Sequence, residues 1–142
     1  MTRFQNRFVL IILTLLCVIL TSCSMTEDAG IAKTAIEHFH VQLGKDEFHE
    51  IYVESADDFK QVATEEKFTE LLSAIKRKLG PLKSSSATAW RVNYTTMGTM
   101  VNLQYKTEFE EGPADETFVF RIKSKHADLM SYNINSATLV TK

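Results

Sequence analysis

A chain of 142 residues with 18 acidic and 16 basic side chains carries a formal charge of −2. That is the length of one domain. Its faint acidity gives no electrostatic case for nucleic acid or for a polybasic membrane contact.

The chain opens with Arg3 and Arg7 and no acid, followed by an apolar run, Phe8 to Leu20, broken only by Thr14. This is the layout of a secretory signal. The run is too short for a helix that crosses a bilayer, which needs about 20 residues. Leu20-Thr21-Ser22-Cys23 closes it and resembles the bacterial lipobox: a branched apolar residue, two small residues, then cysteine. The resemblance implies a diacylglyceryl group on the Cys23 sulfur, cleavage between Ser22 and Cys23, and acylation of the new α-amine. Two or three acyl chains hold a protein stably to a bilayer, whereas one does so marginally. Ser24, where an Asp would favour inner-membrane retention, points to the periplasmic side of the outer membrane if the envelope is Gram-negative. An uncleaved anchor counted on through Met25 is the alternative.

The expected organisation is a signal peptide over 1–22, a lipidated tether over 23–29 and one domain over 30–140. Removing 22 of 142 residues takes Arg3 and Arg7 and leaves 120 residues, with 14 basic and 18 acidic side chains and a charge of −4. A domain of that size buries roughly 65% of its unfolded surface and needs no staples. Cys17 leaves with the signal, so the mature chain has no internal disulfide and no free thiol.

Ser24-Met25-Thr26-Glu27 fits a capping box. Ile31, Ala32, Ala35, Ile36, Phe39 and Leu43 recur at helical spacing, which predicts a helix over 26–43 stopped by Gly44. Asp46 is a candidate cap for a short second helix with Phe48, Ile51 and Tyr52 inward. Ser55 to Asp58 reads as a polar break. Thr64 then opens a third helix, with Glu65 and Glu66 at its positive end and Lys76, Arg77 and Lys78 at its negative end. Phe68, Leu71, Leu72, Ile75 and Leu79 form its apolar stripe, and Gly80-Pro81 ends it.

From Lys83 the apolar period falls to two. Trp90, Val92 and Tyr94 are followed by a turn at Thr96–Gly98. Val101, Leu103, Tyr105 and Phe109 are followed by a turn at Glu111–Asp115. Phe118, Phe120 and Ile122 are followed by a turn at Ser124–Asp128, and Met130, Tyr132 and Ile134 complete the series. The pattern predicts four strands in an antiparallel meander with one buried face. Three helices before such a sheet make an α+β domain, with the third helix against Trp90, Leu103, Phe120 and Tyr132.

The stretches Glu50–Phe59 and Glu65–Gly80, followed by four strands, are similar to small bacterial envelope proteins with a domain of unknown function. The resemblance covers about residues 30–136. It implies a curved sheet around the helices, the nuclear transport factor 2-like or cystatin-like cone, with a pocket between sheet and helices. It implies no reaction, because that fold hosts enzymes, binding modules and dimerisation modules alike.

The chain holds no nucleophile elbow, zinc-protease, P-loop or dinucleotide motif. His38 and His40 point about 160° apart on a helix and cannot share an ion, and His49 and His126 have no partners at ligand spacing. No metal or cofactor is expected. Asp57-Asp58 and Glu65-Glu66 suit caps and dipole partners, and Glu108, Glu110 and Arg121 suit cross-strand ion pairs. Trp90, Tyr94, Tyr105 and Tyr132 have the phase of the concave face. They are either core or the lining of a pocket for a small apolar ligand.

The expected role is a non-enzymatic binding or interaction module held to the membrane through Cys23. Its partner would be a protein or a small apolar ligand, and a homodimer through the sheet is one arrangement. An acid–base enzyme on a small hydrophobic substrate is the first alternative, and it requires a carboxylate or other polar group inside the pocket. An envelope inhibitor or immunity protein is the second.

Overall fold

The computed structural model describes residues 27–141, so Ser22 and Cys23 lie outside the described residues. No described helix is long and apolar enough to cross a membrane. The architecture is α+β: four helices, a four-stranded antiparallel sheet, and a short closing helix.

The first helix, α1, covers 27–44 of the described residues. Ala29, Ala32, Ile36, Phe39 and Leu43 are buried, each three or four positions after the last, so one stripe faces the core. Gly44 is still helical and does not stop it. The left-handed residue is Asp46, with φ of 63°, a conformation aspartate tolerates better than most residues. Asp46 does not cap the next helix either. Its carboxylate meets Lys76 at 2.5 Å, and the next helix starts after Glu47 with no side-chain cap.

Helix α2 spans Phe48–Val53, with Ile51 buried. The expected break at Ser55–Asp58 is shorter than its polarity implied. Ser55 and Ala56 are both buried, and Asp57 already opens a helix, α3, over Asp57–Val62. The turn is held from two sides: Ser55 Oγ donates to the Ile51 carbonyl (2.7 Å), and the Ala56 N–H donates to the Leu129 carbonyl in the sheet (3.0 Å). Among the described residues four helices therefore precede the sheet, where periodicity suggests three. Helix α3 buries only Phe59 fully, too little to give a period.

Helix α4 spans Glu65–Leu79 and begins as expected: Thr64 accepts a bond from the Lys67 N–H (3.4 Å). It buries Phe68, Leu72, Ile75 and Leu79, whereas Leu71 stands at the margin, 39% exposed. It ends at Gly80, whose φ of 72° is a backbone conformation that L side chains rarely adopt.

The strands are β1 (Leu82–Thr95), β2 (Gly98–Phe109), β3 (Gly112–Lys123) and β4 (His126–Asn135), paired in that order and all antiparallel. The β1–β2 turn needs Gly98, because a Cβ there would lie 2.8 Å from the Ile122 carbonyl oxygen. Alternate residues of β2 and β3 are buried, from Val101 to Phe109 and from Ala114 to Ile122, so one face carries the core and the other faces solvent. The helices do not roof the whole inner face. Trp90 pairs with buried Leu103 yet stays 48% exposed, so α4 does not cover it as expected. A final helix, α5 (Ala137–Thr141), closes the described chain. Lys78 Nζ donates to its Leu139 carbonyl (2.7 Å), and its Thr138 donates to the Glu111 carbonyl (3.2 Å).

Neighbouring leucines test the position of the stripe. Leu72→Ala should destabilise the domain by about 2–5 kcal/mol, the cost of a cavity in a packed core. Leu71→Ala should cost less than about 1 kcal/mol. Urea unfolding followed by circular dichroism reads both.

Candidate functional site

In β3 the inward positions run Phe118, Phe120, Ile122 towards the C-terminus and Glu116, Ala114 towards the N-terminus. Glu116 therefore sits where an apolar residue is expected, and it is 1% exposed. The same alternation in β2 places Thr107 inward, and in β4 it places Tyr132 inward. On α1, His40 follows core Phe39 and lies at the edge of the buried stripe.

These four side chains meet. The Glu116 carboxylate receives His40 Nε2 at 2.9 Å and Thr107 Oγ1 at 2.5 Å on one oxygen, and Tyr132 Oη at 2.7 Å on the other. Phe118 packs beside them, its ring 5.0 Å from that of Tyr132 and 5.8 Å from that of His40.

Burial alone would push the Glu116 carboxyl up. The bond and charge of His40, with the bonds from Thr107 and Tyr132, outweigh it and hold the group below the usual carboxylate range. Tyr132 is pushed well above its ordinary value, first by its own burial and then by the Glu116 charge.

An ionised carboxylate only accepts hydrogen bonds, so all three partners donate. That fixes the protons. His40 carries hydrogen on Nε2. Thr107 spends its hydroxyl hydrogen on Glu116, so at its 3.0 Å contact with Ser85 the serine is the donor. The chain of bonds runs Ser85 to Thr107 to Glu116, with His40 and Tyr132 entering from the sides.

Among the described residues no fully buried side-chain N or O lacks a partner. No described residue bonds His40 Nδ1, so that atom reaches the surface. His40 lines a cleft of about 530 Å³ between the end of α1, the end of α4 and the start of β1. Val41, Leu43, Pro81, Leu82 and Phe109 give the cleft apolar walls, and Glu37, His40, Lys45, Lys76 and Ser85 supply its polar groups. A second cavity, about 280 Å³, lies between α1, α2 and β4 beside Ile31, Ile51 and Leu129.

The aromatic residues singled out by phase do not gather at the cleft. Tyr132 sits beneath it on Glu116, and Tyr105 is buried beside Phe118, with ring centroids 6.0 Å apart. Trp90 and Tyr94 stand 48% and 56% exposed on β1, and none of the four borders the cleft.

His38 and His40 diverge, His38 to Glu54 at 3.4 Å and His40 to Glu116. Among the described residues no group of three or more His, Cys, Asp or Glu side chains could hold a metal ion. The acid pairs serve structure: Asp58 takes Arg121 at 2.5 Å, and Glu65 takes His49 at 2.6 Å and so raises the imidazole pKa. Arg121 thus reaches a helix, where a cross-strand partner was expected. Lys76 serves the α1–α2 turn, bonding the Gly44 carbonyl (2.9 Å) as well as Asp46.

A family described as "Protein of unknown function (DUF4019)" matches residues 35–131, from the middle of α1 into β4. The chain belongs to the DUF4019 family. No curated protein matches the sequence. The matched DUF4019 segment contains His40, Ser85, Thr107 and Glu116, with Tyr132 one residue beyond it. Sequence reasoning passed over Glu116, Thr107 and Ser85. The signal was present in the register of the DUF4019 strands: an acid two residues before Phe118 falls on the core face.

Removing the Glu116 carboxylate leaves three buried donors without an acceptor. Glu116→Ala should destabilise the domain by about 3–5 kcal/mol, and Glu116→Gln, which restores an acceptor without the charge, by less. The wild type should also lose stability in acid. A carboxyl held below its ordinary 4.5 adds stability above that value, which drains away as pH falls through the depressed folded value. Thermal melts from pH 7 to 3 should show Glu116→Gln losing less Tm across that range than the wild type.

Proposed function

We propose that this DUF4019 protein is a lipid-anchored envelope lipoprotein whose domain binds a small amphipathic ligand in the cleft at His40. The observation that carries the binding reading is that cleft: apolar walls around a few convergent polar groups, with one of them, His40, fixed from behind by a buried carboxylate. The anchoring reading rests on the arginines, the apolar run and the Leu20-Thr21-Ser22-Cys23 box. It gives a periplasm-facing location, at the outer membrane in a Gram-negative envelope. The cone fold belongs to the same proposal, supported by helices gathered on one face of a four-stranded meander.

A second reading, an acid–base enzyme on a small hydrophobic substrate, is favoured by one observation. It required a polar group inside the pocket, and Glu116 lies directly behind His40. A buried carboxylate that orients an imidazole is a common arrangement for moving protons. The family match assigns no reaction.

Two experiments test the two halves. Cys23→Ala should abolish incorporation of radiolabelled palmitate and shift the protein out of the mature membrane fraction. Membrane retention without label would instead favour the uncleaved anchor. For the cleft, the neutral fluorophore N-phenyl-1-naphthylamine should brighten on the wild-type domain, and Leu82→Arg, which fills the wall with a charged side chain, should weaken its binding about tenfold or more. Equal binding to both proteins would move the ligand elsewhere.

A further inference from the structure

The proton positions around Glu116 say what kind of polar group the cleft accepts. This deepens the binding reading and rests on it. We infer that the ligand's polar end is a neutral hydrogen-bond donor, a hydroxyl on an apolar chain, received by His40 Nδ1 with Ser85 Oγ beside it.

Glu116 is ionised, so His40 must keep its hydrogen on Nε2. A hydrogen bonded from Nε2 to the carboxylate is present in the neutral and the charged imidazole alike; wherever the ring is neutral, Nδ1 carries a lone pair and no hydrogen. Nδ1 is the ring nitrogen with no bond to a described residue, and His40 lines the cleft. Ser85 has committed its own hydrogen to Thr107, so the lone pairs left on its oxygen also accept. Glu37, the third polar group along this wall, is a carboxylate. The α1–β1 side of the cleft is thus a row of acceptors over an apolar floor.

The other side of the cleft carries cations. Lys76 is already engaged, bonded to Asp46 at 2.5 Å and to the Gly44 carbonyl at 2.9 Å. Lys45 lies exposed at the rim. A carboxylate ligand would find Lys45, but it would also face Glu37 and the Glu116 charge behind His40. A neutral donor meets no such opposition and satisfies Nδ1. An acceptor-only group leaves that lone pair desolvated and unpaired, which is the costly outcome.

The test uses two isomers that differ in one donor. 1-Decanol and nonyl methyl ether have the same atoms, but only the alcohol donates. Decanoate is the third competitor. Each displaces N-phenyl-1-naphthylamine from the full domain at pH 8.5. The expected result is displacement by decanol at about tenfold lower concentration than by the ether, with decanoate no better than the ether. His40→Phe should erase the difference between the isomers.

Because that variant leaves Glu116 without one donor and can lose its fold, the wild type supplies a second readout. Long-range ¹H–¹⁵N spectra should show hydrogen on His40 Nε2 and a bare Nδ1, whose resonance moves with decanol and not with the ether. Equal displacement by the two isomers, tighter binding of decanoate, or an Nδ1–H tautomer would overturn the head-group inference while leaving the cleft as a binding site. If the fluorophore binds wild type and Leu82→Arg alike, or no competitor displaces it, the binding reading itself fails and takes this inference with it.

Discussion

A negative charge in the middle of an apolar core is the constraint to which the rest of this domain answers. An isolated carboxylate in that environment would cost several kcal/mol. The fold meets the cost with three donors drawn from three different elements: His40 from α1, Thr107 from β2 and Tyr132 from β4. Glu116 itself belongs to β3. The cluster therefore ties the first helix to three adjacent strands. Apolar packing around it is non-directional and tolerates sliding. The carboxylate does not, because its lone pairs fix where each donor must stand. The edge-to-face and tilted ring cluster of Phe39, Phe118 and Tyr132, with centroids 4.8 to 5.2 Å apart, is built around that fixed point.

The same cluster separates a structural interior from a chemical exterior. Tyr132 and Thr107 are buried and serve the charge. His40 is the one member with a second polar atom directed outward. Ser85 extends the bond chain to the cleft from the other side. The core thereby sets the hydrogen-bonding character of a surface it does not touch. It does so through His40, whose Nε2 hydrogen is held by Glu116, and Ser85, whose hydroxyl hydrogen is held by Thr107.

Much of this was legible in the sequence, for reasons that can be named. Thr64 followed by two glutamates, and the recurrence of Phe68, Leu72, Ile75 and Leu79, are local signals, and α4 follows them. Strict alternation marked the strands and their order. Helix α3 was hidden because one buried phenylalanine gives no period. The α1–α2 turn was misread because Gly44 and Asp46 have the right chemistry for a stop and a cap, while the tertiary partner Lys76 decided otherwise. The site was missed for a different reason. Glu108 and Glu110 have the solvent phase and suit cross-strand pairs, whereas Glu116, directly after the Glu111–Asp115 turn, drew no reading although it has the phase of Phe118 and Phe120. Trp90 and Tyr94 illustrate the converse: phase places them on the inner face, but only packing decides whether a helix covers them.

The span between His40 and Glu116 also governs the order of assembly. The two residues are 76 positions apart, and Tyr132 lies a further 16 beyond Glu116. A chain that emerges with its N-terminus first presents α1 long before β3 and β4 exist. Until they arrive, Phe39 on α1 lacks its ring partners Phe118 and Tyr132, and His40 lacks its counter-charge. The helix nearest the proposed lipid anchor is thus made before the strands that complete its packing and is one of the last elements able to settle. The contacts that close the domain are drawn from both ends of it.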